Sequence, residues 1–206
     1  MTPTPPMSPM TPVSKISRKT RETEITLTLD PMADSASHAV STGQAMLDHL
    51  LTQLFNYMPI HGTLTATGDL PIDAHHTSED IGYVLGRYLK RRQEDLKANG
   101  IQIARFAEVH QVMDDCVVWL ALDFGGRSHL DIRGYENLVL SAGQLDGECL
   151  LELLAALTRE GQFSLHGEWI RGNKAHHGAE ALFKGLGRLF SKGLRSEEHT
   201  SELQSR

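Results

Sequence analysis

Two stretches of this chain carry groups that bind metals and move protons, and both use one pattern. IDAHHTSEDIG, residues 72–82, holds His75, His76 and Glu79, and NKAHHGAEALFKGL, residues 173–186, holds His176, His177 and Glu180. Each spells HHxxE. On a helix the first histidine and the glutamate lie four residues apart and share a face, so together they can grip one cation. The second histidine projects about 100° around the axis and can serve another ion. Imidazole with carboxylate suits borderline divalent metals such as manganese, iron or zinc, and does not suit calcium. One copy would be weak, because paired histidines at helix starts are often only solvated. Two copies in matched contexts point to a shared site with six ligands, enough for two ions with open positions. Neither HExxH nor HxxEH is present, which counts against a peptidase.

The elements that must hold these motifs follow from periodicity. EITLTLD (24–30) alternates like a half-buried strand, and AMLDHLLTQLFNYM (45–58) sets Met46, Leu47, Leu50, Leu51 and Leu54 at helical spacing. The strand GTLTATGDL (62–70) leads into the first motif, whose helix continues through IGYVLGRYLKRR (81–92). RFAEVHQVM and DDCVVWLALDFGGR (114–127) read as strands with Gly125 and Gly126 at a turn. After SHLDIRG the order returns: a helix (147–161), a strand (162–172) and the second motif helix (173–190). The fold class is therefore α+β, with two tandem similar halves over 18–100 and 101–194, each a small mixed sheet packed with two helices. Matching the repeats adds two candidate ligands. His49 lies 26 residues before His75, and Glu152 lies 24 before His176. Taken alone, His49 on an apolar helix would read as a core histidine.

Composition narrows the partners. With 40% apolar and 22% charged residues, 18 glycines and a formal charge of −6, the chain is an ordinary soluble globular protein. The acidic balance and scattered aromatics exclude a nucleic-acid binder, and no run of about 18 apolar residues spans a membrane. The start MTPTPPMSPMTPVSKIS has no secretory apolar core, and its prolines deny it a helix, so residues 1–17 read as a disordered arm. Cys116 and Cys149 sit in apolar surroundings and suit a reducing compartment, the cytoplasm. His38, His61, His110, His129, His166 and His199 show no partners at useful spacing and read as surface or core residues.

GDLPIDAHHTSEDIGYVLG, LDHLL, GIQIARF, VMDD, ALDFGGR and NKAHHGAEALFKGL, taken in order from about Arg18 to about Phe190, resemble imidazoleglycerol-phosphate dehydratase. The resemblance implies tandem α+β repeats of the ribosomal protein S5 domain 2-like type. It implies a dimanganese site at subunit contacts, with iron or zinc as substitutes, and a cubic homo-oligomer of 24 subunits. It implies the reaction as well: D-erythro-imidazole-glycerol phosphate loses water to give imidazole acetol phosphate in histidine biosynthesis. The proton to be removed has no adjacent carbonyl, so the substrate's imidazole must be the electron sink. As a dimetal-bound imidazolate it could expel the neighbouring hydroxyl and leave a proton acidic enough for a carboxylate. By resemblance His49, His75, His76, Glu79, His176, His177 and Glu180 are the metal-site residues. Glu180, Glu79 and Glu22, in KTRETEI, are acid/base candidates, and Lys184 completes the site. Arg105 and Arg127 match the family's phosphate-binding arginines. Without the family, Glu22 is an exposed strand charge, Arg105 a solvated charge and Arg127 a turn residue.

Departures are visible too. Glu152 stands where the family commonly has a histidine ligand, Tyr57 where a histidine is frequent, and Gly125 where a serine is usual. RSEEHTSELQSR, residues 195–206, is wholly polar and resembles the translation of a sequencing adaptor, where the family has a Ser/Thr-Lys-Gly segment that contacts phosphate. Two other readings stay open at this point: a dimetal hydrolase using a bridging hydroxide, and a catalytically impaired metal-binding assembly protein.

Overall fold

The computed structural model describes residues 14–30, 38–58, 61–135, 138–140 and 145–196. The first half runs β1 (Ser14–Lys19), β2 (Glu24–Asp30), β3 (Ala39–Ser41), α1 (Ala45–Tyr57), β4 (His61–Thr67) and α2 (His75–Ala98). The second runs β5 (Phe106–Met113), β6 (Cys116–Asp123), β7 (His129–Arg133), the short pair β8 (Val139–Leu140) and β9 (Leu145–Asp146), α3 (Gly147–Gly161), β10 (Ser164–Arg171) and α4 (Ala175–Gly193). The sheets are ordered β1-β2-β4-β3 and β5-β6-β10-β7. In each, the first three neighbours pair antiparallel and the last strand joins parallel. Element for element, the second half repeats the first, with β8 and β9 inserted before α3.

Alternation explains the strands. Ile25, Leu27 and Leu29 of β2, and Val118, Leu120 and Leu122 of β6, point into the core and are buried. The helices bury apolar stripes, Leu47, Leu50, Leu51, Leu54 and Phe55 on α1 and Leu150, Leu153, Leu154 and Leu157 on α3. Two side chains cap these helices: Gln44 accepts from the Leu47 amide at 3.0 Å, and Asp146 from the Cys149 amide at 2.9 Å. The N-cap residues of the HHxxE helices, Ala74 of α2 and Lys174 of α4, make no side-chain cap, and at α2 Asp73 instead accepts from the His75 amide at 2.8 Å.

Each half lays its helices on its own sheet, and the halves then pack helix to helix, α2 on α3 and α1 on α4. The sheets are thus the outer layers and the helices the inner ones. Close approach is allowed by glycine at repeat-equivalent places. A Cβ on Gly86 would meet the Leu157 carbonyl oxygen at 2.5 Å, and one on Gly187 would meet the Leu54 carbonyl oxygen as well as Tyr57 Cβ at 2.8 Å. The register of α1 on α4 therefore equals that of α3 on α2. The seam between the strand exit and the motif helix is also matched, but with sizes exchanged. Thr77 fills the space beside Gly68, whereas Trp169 fills the space beside Gly178.

Some sequence expectations shift. Residues 14–17, assigned to the arm, begin β1, because Ile16 finds Leu27 across an antiparallel ladder. The remainder of that arm, and positions 197–206 of the polar tail, lie outside the described residues. Arg195 and Ser196 continue past α4, where Ser196 bridges Ile103 and the Arg195 carbonyl accepts from Ala104 N. The helix of the first motif is longer than its apolar pattern suggested, reaching Ala98 through a polar last stretch.

Candidate metal centre

The register of α1 on α4 brings three predicted ligands together. His49 from the first half meets His176 and Glu180 from the second, with their ligand atoms all within 4.8 Å of one another. Nε2 of His49 lies 3.7 Å, and Nε2 of His176 3.4 Å, from Oε2 of Glu180. The two imidazole rings are 5.2 Å apart. Lys184, one turn along α4, donates to the other carboxylate oxygen, Oε1, at 2.6 Å. Each group has its own reason to be there: His176 and Glu180 share one face of α4, and His49 is set by the Gly187 contact.

Charge keeps this cluster ready for a cation. Burial pushes the Glu180 carboxyl up, but the hydrogen bond and charge of Lys184, joined by His49 and His176, outweigh that and hold it below the ordinary carboxylate range. Glu180 is therefore an anion at neutral pH. Nε2 of His49 is buried and has no hydrogen-bond partner. A buried polar atom without a partner is costly unless something binds it, and it faces an anionic oxygen and a second imidazole. Two nitrogens and one oxygen are a donor set that fits a borderline divalent ion.

The second histidine of each motif is held by an aspartate. Nδ1 of His76 meets Asp69 at 2.9 Å, and Nδ1 of His177 meets Asp115 at 2.7 Å. With the proton on Nδ1, Nε2 is left to ligate, which is how carboxylates orient metal-binding histidines; Nε2 of His177 also lies 3.7 Å from Oδ2 of Asp114. The Asp69 hydrogen bond raises the His76 pKa, with Glu22 and Asp73 acting in the same direction, and the partner lowers that of Asp69. The His177 hydrogen bond likewise lowers that of Asp115. Asp69 and Asp115 are residues that sequence reasoning missed. Asp115, in the VMDD stretch, lies 62 residues from His177, whereas Asp69, in GDL, lies only seven before His76.

The other candidates fall in several places. Glu22 sits in the β1–β2 turn and not in a strand, exposed, with its charge felt by His76. Arg18 and Thr23 both donate to buried Asp80 of the motif helix, which ties that turn to α2. Glu79 accepts from Arg159 at 3.0 Å. Among the described residues, His75, Glu79 and Glu152 do not form a second compact ligand group. By register, however, Glu152 holds the place on α3 that His49 holds on α1. Arg105 is paired with Asp123 through two hydrogen bonds, at 2.7 and 3.1 Å, in a left-handed backbone conformation. It lines a cavity of about 590 Å³ with Phe106, Phe124, Gly125 and Gly126, and Arg127 is exposed one residue beyond. His129 and His166, expected to be without partners, are neighbours across β7 and β10, 5.1 Å apart, with Asp131 at 4.0 Å from His166. Strand pairing makes such contacts, and spacing along the chain does not reveal them.

Fold and site together define a class: a duplicated α+β protein with a histidine–carboxylate centre at the starts of its motif helices. The sequence model of the family described as "Imidazoleglycerol-phosphate dehydratase" matches residues 42–190. A dehydratase of that name from Xanthobacter autotrophicus is 39% identical over 165 residues, covering 80% of this chain and 81% of the relative. One from Thermus thermophilus is 38% identical, covering 76% and 79%. Among solved structures, the Staphylococcus aureus dehydratase superposes with a TM-score of 0.75 at 25% identity, covering 89% of this chain and 99% of that one. The IGPD of Pyrococcus furiosus gives 0.73 at 27%, covering 88% and 94%. The chain belongs to the imidazoleglycerol-phosphate dehydratase family, and its enzyme class is hydro-lyase.

Proposed function

We propose that this chain removes water from D-erythro-imidazole-glycerol phosphate to give imidazole acetol phosphate, a step of histidine biosynthesis. The observation that carries the proposal is the meeting of His49, His176 and Glu180 around an unpartnered, buried imidazole nitrogen. These three would hold one divalent ion. By repeat register His75, Glu79 and Glu152 would hold a second, while His76 presents Nε2 away from Asp69 and His177 carries Asp115 on Nδ1 and Asp114 3.7 Å from Nε2. Manganese is our reading, with iron or zinc as substitutes. Bound there, such ions would supply Lewis-acid polarisation of the substrate's imidazole ring.

The chain's own groups account for the rest. The carbon that loses its proton has no carbonyl beside it, so the ring must take up the electrons and a carboxylate must take up the proton. Glu180, kept ionised by Lys184, is suited to accept a proton or to ligate. Glu22 is the further acid/base carboxylate, placed on the His76 side by the Asp80 anchor. Arg105 retains N–H groups beyond those given to Asp123 and, with Arg127, is our choice for the phosphate.

One chain does not bring all of these groups together. Arg105 N donates to Gly193 O at the end of α4, whereas Glu180 lies in its first turns. Thirteen helical residues separate Glu180 from Gly193, about 20 Å at 1.5 Å per residue. The short carbon chain between the substrate's ring and its phosphate cannot span that. A site using both ends needs a second subunit, which supports sites at contacts in a homo-oligomer, for which we adopt the 24-subunit form. Cys116 and Cys149 are both unpaired and buried, consistent with our placing the protein in the cytoplasm. No helix among the described residues is long and apolar enough to cross a membrane. No feature of the site favours the hydrolase or the non-catalytic reading.

The test is turnover. Metal-stripped protein should convert imidazole-glycerol phosphate only after manganese is restored, and His49→Ala should abolish it. Wild-type protein that binds manganese and yields no imidazole acetol phosphate would overturn the proposal.

A further inference from the structure

The two halves hold their central carboxylates with different cations. In the second half, Lys184 of α4 donates to Oε1 of Glu180 at 2.6 Å and leaves Oε2 facing the histidines. The repeat-equivalent of Lys184 on α2 is Tyr83, which has no charge to offer. Its phenol oxygen instead accepts from Arg87 at 3.1 Å. Glu79 nonetheless has one oxygen fixed: Oε1 accepts from Nη2 of Arg159 at 3.0 Å. Arg159 stands on α3, facing α2, where the equivalent residue of α1 is Asn56. The cation has moved from the motif helix to the helix packed against it.

The arginine is itself oriented. Its Nε lies 3.6 Å from Oε1 of Glu160, whose Oε2 is 3.9 Å from Arg87. Tyr83, Arg87, Glu160, Arg159 and Glu79 thus form one polar chain across the α2–α3 seam, which Gly86 keeps tight against Leu157 and Glu160. The half-site of Glu79 takes the carboxylate Glu152 from α3 where the half-site of Glu180 takes the imidazole of His49 from α1, so it gathers two carboxylates instead of one.

We propose that Arg159 is a positioning residue for the first half-site, fixing Glu79 with one oxygen free to ligate, as Lys184 fixes Glu180. The assignment rests on the two-ion reading above. It makes a prediction whose sign separates it from simple electrostatics. If Arg159 only repelled the ion or competed with it for Glu79, its removal would tighten metal binding. If it positions Glu79, its removal weakens binding, as loss of groups that orient metal ligands commonly does by about tenfold or more.

The experiment is a manganese titration of the full chain, followed by calorimetry and by the electron paramagnetic resonance of the bound ion, for wild type, Arg159→Leu and Arg159→Lys. Wild type should take two ions per chain. Arg159→Leu should keep one class of site unchanged and weaken the other by about tenfold, with an altered resonance line shape. Arg159→Lys should restore most of the affinity, and metal-free thermal midpoints of all three should agree closely, because Arg159 is half exposed. Unchanged or tighter binding in Arg159→Leu, with wild type still taking two ions, would overturn this proposal alone. Wild type that takes no manganese would overturn both it and the two-ion reading.

Discussion

Substituting Gly187 by alanine tests whether helix packing sets the metal centre. A Cβ there would lie 2.8 Å from Tyr57 Cβ and also against the Leu54 carbonyl oxygen. Carbon atoms rest near 3.5–4.0 Å, so α1 would have to retreat by about 1 Å. The contact is partly with backbone, which no rotamer change relieves. Overpacking of this kind costs roughly 1–3 kcal/mol, against about 0.5–1 kcal/mol that alanine returns by stiffening the helix relative to glycine. The net loss is about 0–2.5 kcal/mol, centred near 1 kcal/mol, or roughly 2–4 °C in the thermal midpoint at that centre for a domain of this size. His49 rides on α1 one turn before Leu54, so the same displacement should loosen the triad. Manganese affinity of the His49–His176–Glu180 site should then fall by about tenfold or more. Calorimetric melting of metal-free protein and manganese titration measure the two effects. An unchanged melting point with unchanged affinity would refute the claim that this helix contact positions His49. A lower melting point with unchanged affinity would leave the packing argument standing and remove its link to the site.

Further outcomes follow from the same structure. Asp115→Asn should weaken manganese binding by about 10–100-fold while leaving the melting point nearly unchanged, since it removes the partner of His177 at an exposed position; equal affinity would show that the pairing is incidental. The Asp69–His76 pair makes metal-free stability depend on pH from both sides. The depressed Asp69 carboxyl stabilises above its unfolded value near 4 and loses that as pH falls, while the raised His76 stabilises below about 6.5 and loses that as pH rises. Melting points should therefore be highest between these limits, and Asp69→Asn should flatten the profile; an identical profile in the variant would contradict the pairing. Burial and Asp146 push the Cys149 thiol up to about 12, so folded protein should resist a thiol-labelling reagent at pH 8 that reacts fully after denaturation. Rapid labelling of Cys149 in the native state would contradict its burial.

The repeat was legible because it is written in two periods that the sequence displays openly, alternation in β2 and β6 and the three-to-four spacing of leucines in α1 and α3. The HHxxE copies marked the same places in both halves, and helix spacing alone put His176 and Glu180 on one face. Four things were not legible, each because it depends on how separate elements meet in space. β1 and β3 are short and half exposed, and only the ladder with β2 and β4 makes them strands. The aspartates that hold His76 and His177 come from a strand exit and a hairpin turn. His129 and His166 meet only because β7 and β10 lie side by side. Which helix faces which motif could not be read either: His49 serves the motif of the opposite half, a consequence of α1 packing on α4 across the seam.

The most direct measurement is an anomalous-difference map from crystals of the full chain grown with manganese. The account predicts a peak within bonding distance of His49 Nε2, His176 Nε2 and Glu180 Oε2, with a second peak at His75, Glu79 and Glu152. Crystals that hold manganese elsewhere, with these two positions empty, would contradict it.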